Sequence, residues 1–215
     1  MDGPKDVQGD DAPRSMRDAG VRERRRDMLS LPHVAPLTSY AARLRERGSV
    51  EVPEFDPLDG GVEAQVLFLF EKPGPMTAER GGSKRSGSGF ISRNNDDPTA
   101  EATFRFMEQA GIGRRLTVTW NVIPWWNYTR KVTGQELREG TACVKELITL
   151  LPKLRAVVLV GRKAAAAEGY LKTTELPILA SDHPSPLVRA KFPERWNAIP
   201  QEWSKVRRFL DEQSC

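Results

Sequence analysis

The sequence predicts an α/β fold, a three-layer α/β/α sandwich around a central four-stranded, mainly parallel sheet. Four short apolar runs, at residues 66–70, 116–122, 156–160 and 177–180, are rich in β-branched and aromatic side chains and continuous rather than strictly alternating. That texture suits strands buried on both faces. Helical patterns separate the runs, and such alternation gives a doubly wound sheet whose sites lie beyond the carboxyl ends of its strands.

Taken in order, residues 1–30 are charged, dotted with Gly and Pro, and poor in large apolar side chains. They include the run Arg22-Glu23-Arg24-Arg25-Arg26-Asp27. This composition predicts a disordered or loosely docked tail, leaving residues 31–215 as a single domain. A helix is expected after Pro36, where Leu37, Tyr40, Ala41 and Leu44 recur at helical spacing. Residues 48–64, with Pro53, Pro57, Gly60 and Gly61, read as a connecting loop. Phe104, Met107 and Ala110 recur every third residue before Gly111. Leu137, Val144, Leu147, Ile148 and Leu151 line one helical face that stops before Pro152, and residues 161–171 are alanine-rich.

A chain of 215 residues suits one compact domain with a core. A formal charge of +4 is compatible with a polyanionic partner without requiring one. No apolar run approaches the length that spans a bilayer, and the N-terminus lacks the hydrophobic stretch of a signal peptide. An intracellular, cytoplasmic protein with no membrane partner is expected. Only Cys143 and Cys215 are present, with no CxxC pair, so neither a zinc ribbon nor a four-cysteine iron–sulfur cluster can be built. His33 and His183 are too few and too far apart to suggest a metal site. No metal or cofactor is therefore expected.

Three strand ends carry polar residues followed by stiffening prolines. They are Phe70-Glu71-Lys72-Pro73-Gly74-Pro75, Trp120-Asn121-Val122-Ile123-Pro124-Trp125-Trp126 and Ser181-Asp182-His183-Pro184-Ser185-Pro186-Leu187. Two phosphate-loop patterns fail on inspection. The G-x-x-x-x-G from Gly82 is followed by Ser88 where lysine is needed, and the G-x-G from Gly87 ends in Ser92 and follows no strand. The loop 81–89, with Lys84 and Arg85, either touches a nucleic-acid backbone or is a solvated surface loop. The five tryptophans read as packing residues.

The segment from Asp182 to Leu187 closely resembles the H-P-S-P-L loop of uracil-DNA glycosylases. With the E-x-P-G turn at Glu71 and the strand-end Asn121, the resemblance extends over residues 66–187. It implies a DNA-repair glycosylase, monomeric, that hydrolyses the bond between uracil and deoxyribose in DNA and leaves an abasic site. Such hydrolysis puts positive charge on the sugar and negative charge on the departing base, so a donor aimed at the base oxygen lowers the barrier. By resemblance His183 takes that role, and Asn121 reads the pyrimidine edge, accepting from N3–H and donating to O4. Phe90 stands where an aromatic stacks on the extruded base, or else is a core residue under the loop. Leu187 resembles the wedge that fills the gap left by a flipped base, and Ser185, with the backbone about Pro186, faces DNA phosphates.

The sequence also departs from the best-known pattern, G-Q-D-P-Y-H, whose Asp orients water and whose Tyr blocks the thymine methyl. Lys72 occupies the Asp position and Gly74 the Tyr position, which opens the steric gate. Glu71 matches the glutamate of other branches, and those commonly carry an iron–sulfur cluster that two cysteines cannot supply. A divergent, metal-free member is expected. Lys72 either stabilises negative charge or a phosphate, or is a solvated surface lysine. Two other functions fit the residues: non-catalytic binding of damaged or abasic DNA, and hydrolysis of free nucleosides or small phosphorylated compounds. Leu187 favours DNA over small substrates; His183 and Asn121 favour catalysis over clamping.

Overall fold

The computed structural model describes residues 7–48, 50–75, 77 and 87–210. Three helices come first: α1 (Val7–Asp10), α2 (Ala19–Asp27) and α3 (Ala35–Glu46). The two-residue strand β1 (Glu54–Phe55) precedes β2 (Val66–Phe70) and pairs in parallel with β3 (Phe90–Ile91). Then follow α4 (Pro98–Gln109), β4 (Thr117–Asn121), α5 (Gly134–Thr149), β5 (Ala156–Val160), the short α6 (Arg162–Ala165) and α7 (Glu168–Leu171), β6 (Ile178–Ser181), α8 (Pro186–Lys191) and α9 (Pro193–Ser204). The main sheet is parallel throughout, in the order β4-β2-β5-β6. From β2 the chain crosses to β4 on one side and then returns past β2 to β5, so the strand order reverses beside β2. That reversal point is where an open parallel sheet opens a crevice at its carboxyl edge.

Both faces of the sheet are covered, which explains the continuous apolar runs. On one face Leu67, Leu69, Val157 and Leu159 pack with Leu37, Tyr40 and Leu44 of α3 and with Val144 and Leu147 of α5. On the other, Val66, Phe68, Val158 and Val160 pack with Phe106 and Met107 of α4 and with Ile199 and Trp203 of α9. The edge strand β4 differs. Val118 and Trp120 join the first core, whereas Thr117, Thr119 and Asn121 alternate with them and present a polar stripe to the opposite side. Among the described residues no helix is long and apolar enough to cross a membrane.

Three expectations need correction. Residues 48–64 are more than a connector: Phe55 stacks on Trp120 with centroids 3.6 Å apart, and Asp56 and Asp59 are buried. The alanine-rich segment 161–171 breaks into α6 and α7 rather than forming one helix. The largest correction is the N-terminal segment. From Val7 onward the chain is helical and docked, and Arg25 is only 1% exposed, facing Asp56 at 3.4 Å. Arg114 joins the same cluster, reaching Asp56 at 2.6 Å, Asp59 at 3.0 Å, Asn94 at 2.7 Å and also Asp11. The charges that make this segment look like a solvated tail are partners for buried carboxylates contributed by the rest of the fold.

Candidate active site

The carboxyl ends of β2, β4 and β6 surround a cavity of about 650 Å³, in the size range of small-ligand sites. Pairing continues past the strand ends: Val122 N–H donates to the Phe70 carbonyl at 2.7 Å and Ile123 N–H to the Glu71 carbonyl at 2.9 Å. Those two bonds hold the turn after β2 against the turn after β4. Glu71, Asn121 and His183, the principal residues expected from sequence, all line this one cavity.

His183 follows β6 and is held from several sides. Its carbonyl accepts from Ser185 N–H at 2.8 Å, and the Phe70 ring meets the imidazole edge-on at 5.6 Å. Burial, reinforced by the nearby Lys163 ammonium, lowers its pKa to about 4, so the imidazole is neutral at pH 7. Behind it lies Gly161, in a left-handed conformation with φ of 90°, where an added Cβ would come within 2.9 Å of the His183 Cβ. Gly161→Ala is therefore expected to strain the backbone by about 1–3 kcal/mol and push the imidazole out of place. A displacement near 1 Å costs on the order of 10²-fold in rate. The single-turnover rate of a folded Gly161→Ala protein checks this, and an unchanged rate would remove Gly161 as the support of His183.

The Glu71 carboxylate pairs with Lys163 Nζ at 2.7 Å. Lys72, its neighbour, also lines the cavity, and it is not the solvated surface lysine that one of the two readings expected. Its side chain is 3% exposed and points to the start of α5, donating to Glu136 at 2.8 Å and to the Asn127 amide oxygen. Glu136 is also the third residue of the capping box begun by Thr133. Lys72 is thus an internal clip joining the turn after β2 to the helix after β4, and its ammonium is committed there. Gly74 lines the cavity, and a Cβ built on it meets nothing within 4 Å among the described residues.

Asn121 is buried, and its Oδ1 has no hydrogen-bond partner among the described residues. Leu187 lines the cavity and is 63% exposed. Ser185 caps α8, its hydroxyl accepting from Val188 N–H at 3.3 Å, and Pro186 occupies the first turn. Phe90 is not in the cavity. Its ring packs with Met16 and Val21 beneath the N-terminal segment, because β3 turns that side chain away from the site while Ile91 faces it. Lys84 and Arg85 lie outside the described residues.

Asn95, Thr119, Arg130 and Lys163 are among the lining residues that were not anticipated. The alternation in Thr117-Val118-Thr119-Trp120-Asn121 carried the signal for Thr119, and Lys163 stands at the carboxyl end of a strand, where the fold rule looks for function. Nothing local distinguishes Asn95. The site does not fit an iron–sulfur cluster: the chain has two cysteines, and Cys143 is buried against Arg47 in the core.

A family model described as the uracil DNA glycosylase superfamily matches residues 58–207. Among solved structures, the chain is similar to the solution NMR structure of a candidate uracil DNA glycosylase from Methanosarcina acetivorans. The two are 17% identical with a TM-score of 0.47, the match covering 67% of this chain and 92% of that one. No curated protein matches the sequence.

Proposed function

Because the chain belongs to the uracil DNA glycosylase superfamily, a family of DNA glycosylases, we propose that it hydrolyses the N-glycosidic bond of deoxyuridine in DNA and leaves an abasic site. The observation that carries this reading is the buried, unpartnered Oδ1 of Asn121 in the same cavity as a neutral His183. A buried acceptor without a partner costs about 1–3 kcal/mol, which a bound N–H repays. In uracil that group is N3–H, and the Asn121 amide can then donate to O4; cytosine presents the reverse pattern.

The bond to the base breaks with negative charge collecting on the uracil ring oxygens. A neutral His183 donates a hydrogen bond to that developing anion and so lowers the barrier. In this reading Glu71, whose carboxylate pairs with Lys163, orients water toward the sugar cation and takes the proton that water loses. Leu187, exposed at the rim, suits the space a flipped base vacates in duplex DNA.

A single-uracil oligonucleotide, alkaline cleavage of the abasic product and thymine and cytosine controls test this. Asn121→Asp is expected to lower uracil excision by roughly 10²-fold or more, since a carboxylate cannot donate to O4, and to gain activity on cytosine when protonated. Tight binding to uracil or abasic DNA with no strand made alkali-labile would make the protein a binder rather than an enzyme.

A further inference from the structure

The lysine that pairs with Glu71 stands at a junction of the sheet. In the order β4-β2-β5-β6, three adjacent carboxyl ends carry Glu71 after β2, Lys163 after β5 and His183 after β6. All three line the cavity, and the lysine follows the strand between those of the carboxylate and the imidazole.

The backbone around Lys163 is fixed relative to His183. Gly161 N–H donates to the Ser181 carbonyl at 2.8 Å, which ties the turn after β5 to the end of β6. The Gly161 carbonyl accepts from Ala165 N–H at 3.0 Å, and Lys163 lies inside that closed turn. From there its side chain reaches the strand on the other side, where Nζ donates to Glu71 Oε1 at 2.7 Å. No other side chain among the described residues bonds that carboxylate. Without the lysine, Glu71 is a long side chain with several rotamers open to it.

The same ammonium acts on the imidazole. Asp182, the acid next to His183 in the chain, is taken up by Arg195 of α9 at 2.5 Å. Lys163 is thus the charged side chain whose field reaches His183, and it adds to burial in opposing protonation of the ring. Lys72, the other lysine in the cavity wall, is clipped to Glu136 and does not substitute for it. The Lys163 side chain is 57% exposed, and an ion pair this open to solvent contributes little to folding. Its removal therefore leaves the fold intact and reveals what it does in the site.

We propose that Lys163 is a positioning residue, which holds the Glu71 carboxylate in its working place and makes Glu71 and His183 one coupled unit. The proposal rests on the glycosylase reading of the same cavity and deepens it. Lys163 acts through its two neighbours. A carboxylate confined to one arrangement aims its water, and an ammonium beside the imidazole favours the neutral ring that donates to the departing base.

The test compares single-turnover excision from one single-stranded, single-uracil oligonucleotide at neutral pH. The proteins are wild type, Lys163→Met, Lys163→Arg, Glu71→Gln and the double variant Lys163→Met/Glu71→Gln. Lys163→Met is expected to lower the rate by about tenfold, with DNA affinity little changed. Lys163→Arg, which keeps a cation able to bond a carboxylate, is expected to recover most of that loss. In the Glu71→Gln background the same lysine change is expected to cost less than about twofold, because no carboxylate remains to be placed. A full loss in both backgrounds would mean that Lys163 acts on DNA directly, and overturns the proposal. So does a wild-type rate in Lys163→Met. NMR titration of the full chain reads the coupling without catalysis, since His33 is the only other histidine. The His183 midpoint, about 4 in the wild type, is expected to move upward in Lys163→Met. An unmoved midpoint overturns the coupling. Absence of excision by every protein would refute the glycosylase reading alone, and the titration would then decide whether Lys163 and His183 are coupled.

Discussion

His183→Ala is expected to slow base release by about 10²–10³-fold, the usual effect of removing one donor from a developing anion in a sheltered site. The loss should appear in the single-turnover rate more than in DNA affinity. Glu71→Gln is expected to lose less, because the bond to the base is largely broken before water attacks. Should Glu71→Gln be the more damaged of the two on the same oligonucleotide, the carboxylate is the principal catalyst instead. The imidazole also sets a pH signature. Its pKa is lowered to about 4 in the fold against an ordinary value of 6.5, so on acidification the unfolded chain takes up the proton first. Stability from keeping it neutral is present above about 6.5 and is lost as pH falls toward 4, to a limit of about 3 kcal/mol. His183→Ala should therefore show less destabilisation between pH 7 and pH 5 than wild type in urea denaturation. Equal acid sensitivity would argue that other groups set it.

Arg114→Met is expected to destabilise the protein by about 3–5 kcal/mol, because it leaves two buried carboxylates without their main counter-charge. Arg114 meets Asp56 and Asp59 at 2.6 and 3.0 Å. Burial alone would raise the Asp56 pKa, but Arg114 and Arg25 outweigh it and hold Asp56 below its ordinary value; Asp59 is pushed up by burial despite its arginines. Arg114→Lys should rescue little, since an ammonium cannot present a fork to acceptors on several sides. The cluster reaches the active-site wall as well. Asp56 also accepts from the Ser92 hydroxyl, and Arg93 donates to Thr117 at 2.8 Å. Urea midpoints for wild type, Arg114→Met and Arg114→Lys at pH 7 measure the effect. A cost below about 1 kcal/mol for the methionine variant would show that water reaches these carboxylates.

The sheet was legible in the sequence because its information is local. A strand covered on both faces must be apolar at every position, and residues 66–70 and 156–160 are. The helix carrying Leu37, Tyr40, Ala41 and Leu44 was readable from spacing for the same reason. What failed depends on partners far along the chain. The arginine run at residues 22–26 has the composition of a solvated tail, and nothing near it reveals that Arg25 faces Asp56. Lys72 looked like a lysine beside a reaction because its acceptors, Asn127 and Glu136, come more than fifty residues later. Phe90 sits at a plausible offset for base stacking, but its direction is set by which face of β3 the N-terminal segment covers. Asn121 and His183 were singled out by the resemblance of their segments, and both line the cavity at strand ends, where this architecture gathers chemistry.

The cluster joining Asp11 to Arg114 spans 103 residues of chain. A contact of that separation closes late, since the loop entropy is spent before the contact returns anything. During synthesis residues 7–30 emerge before Asp56, Phe90 and Arg114, the distant groups that they engage in the fold. Met16 and Val21 then have no Phe90 to cover, and Arg25 stays hydrated. Residues 7–30 can dock only once those partners exist, and their arrival completes the buried charge cluster that also holds Ser92 at the cavity wall.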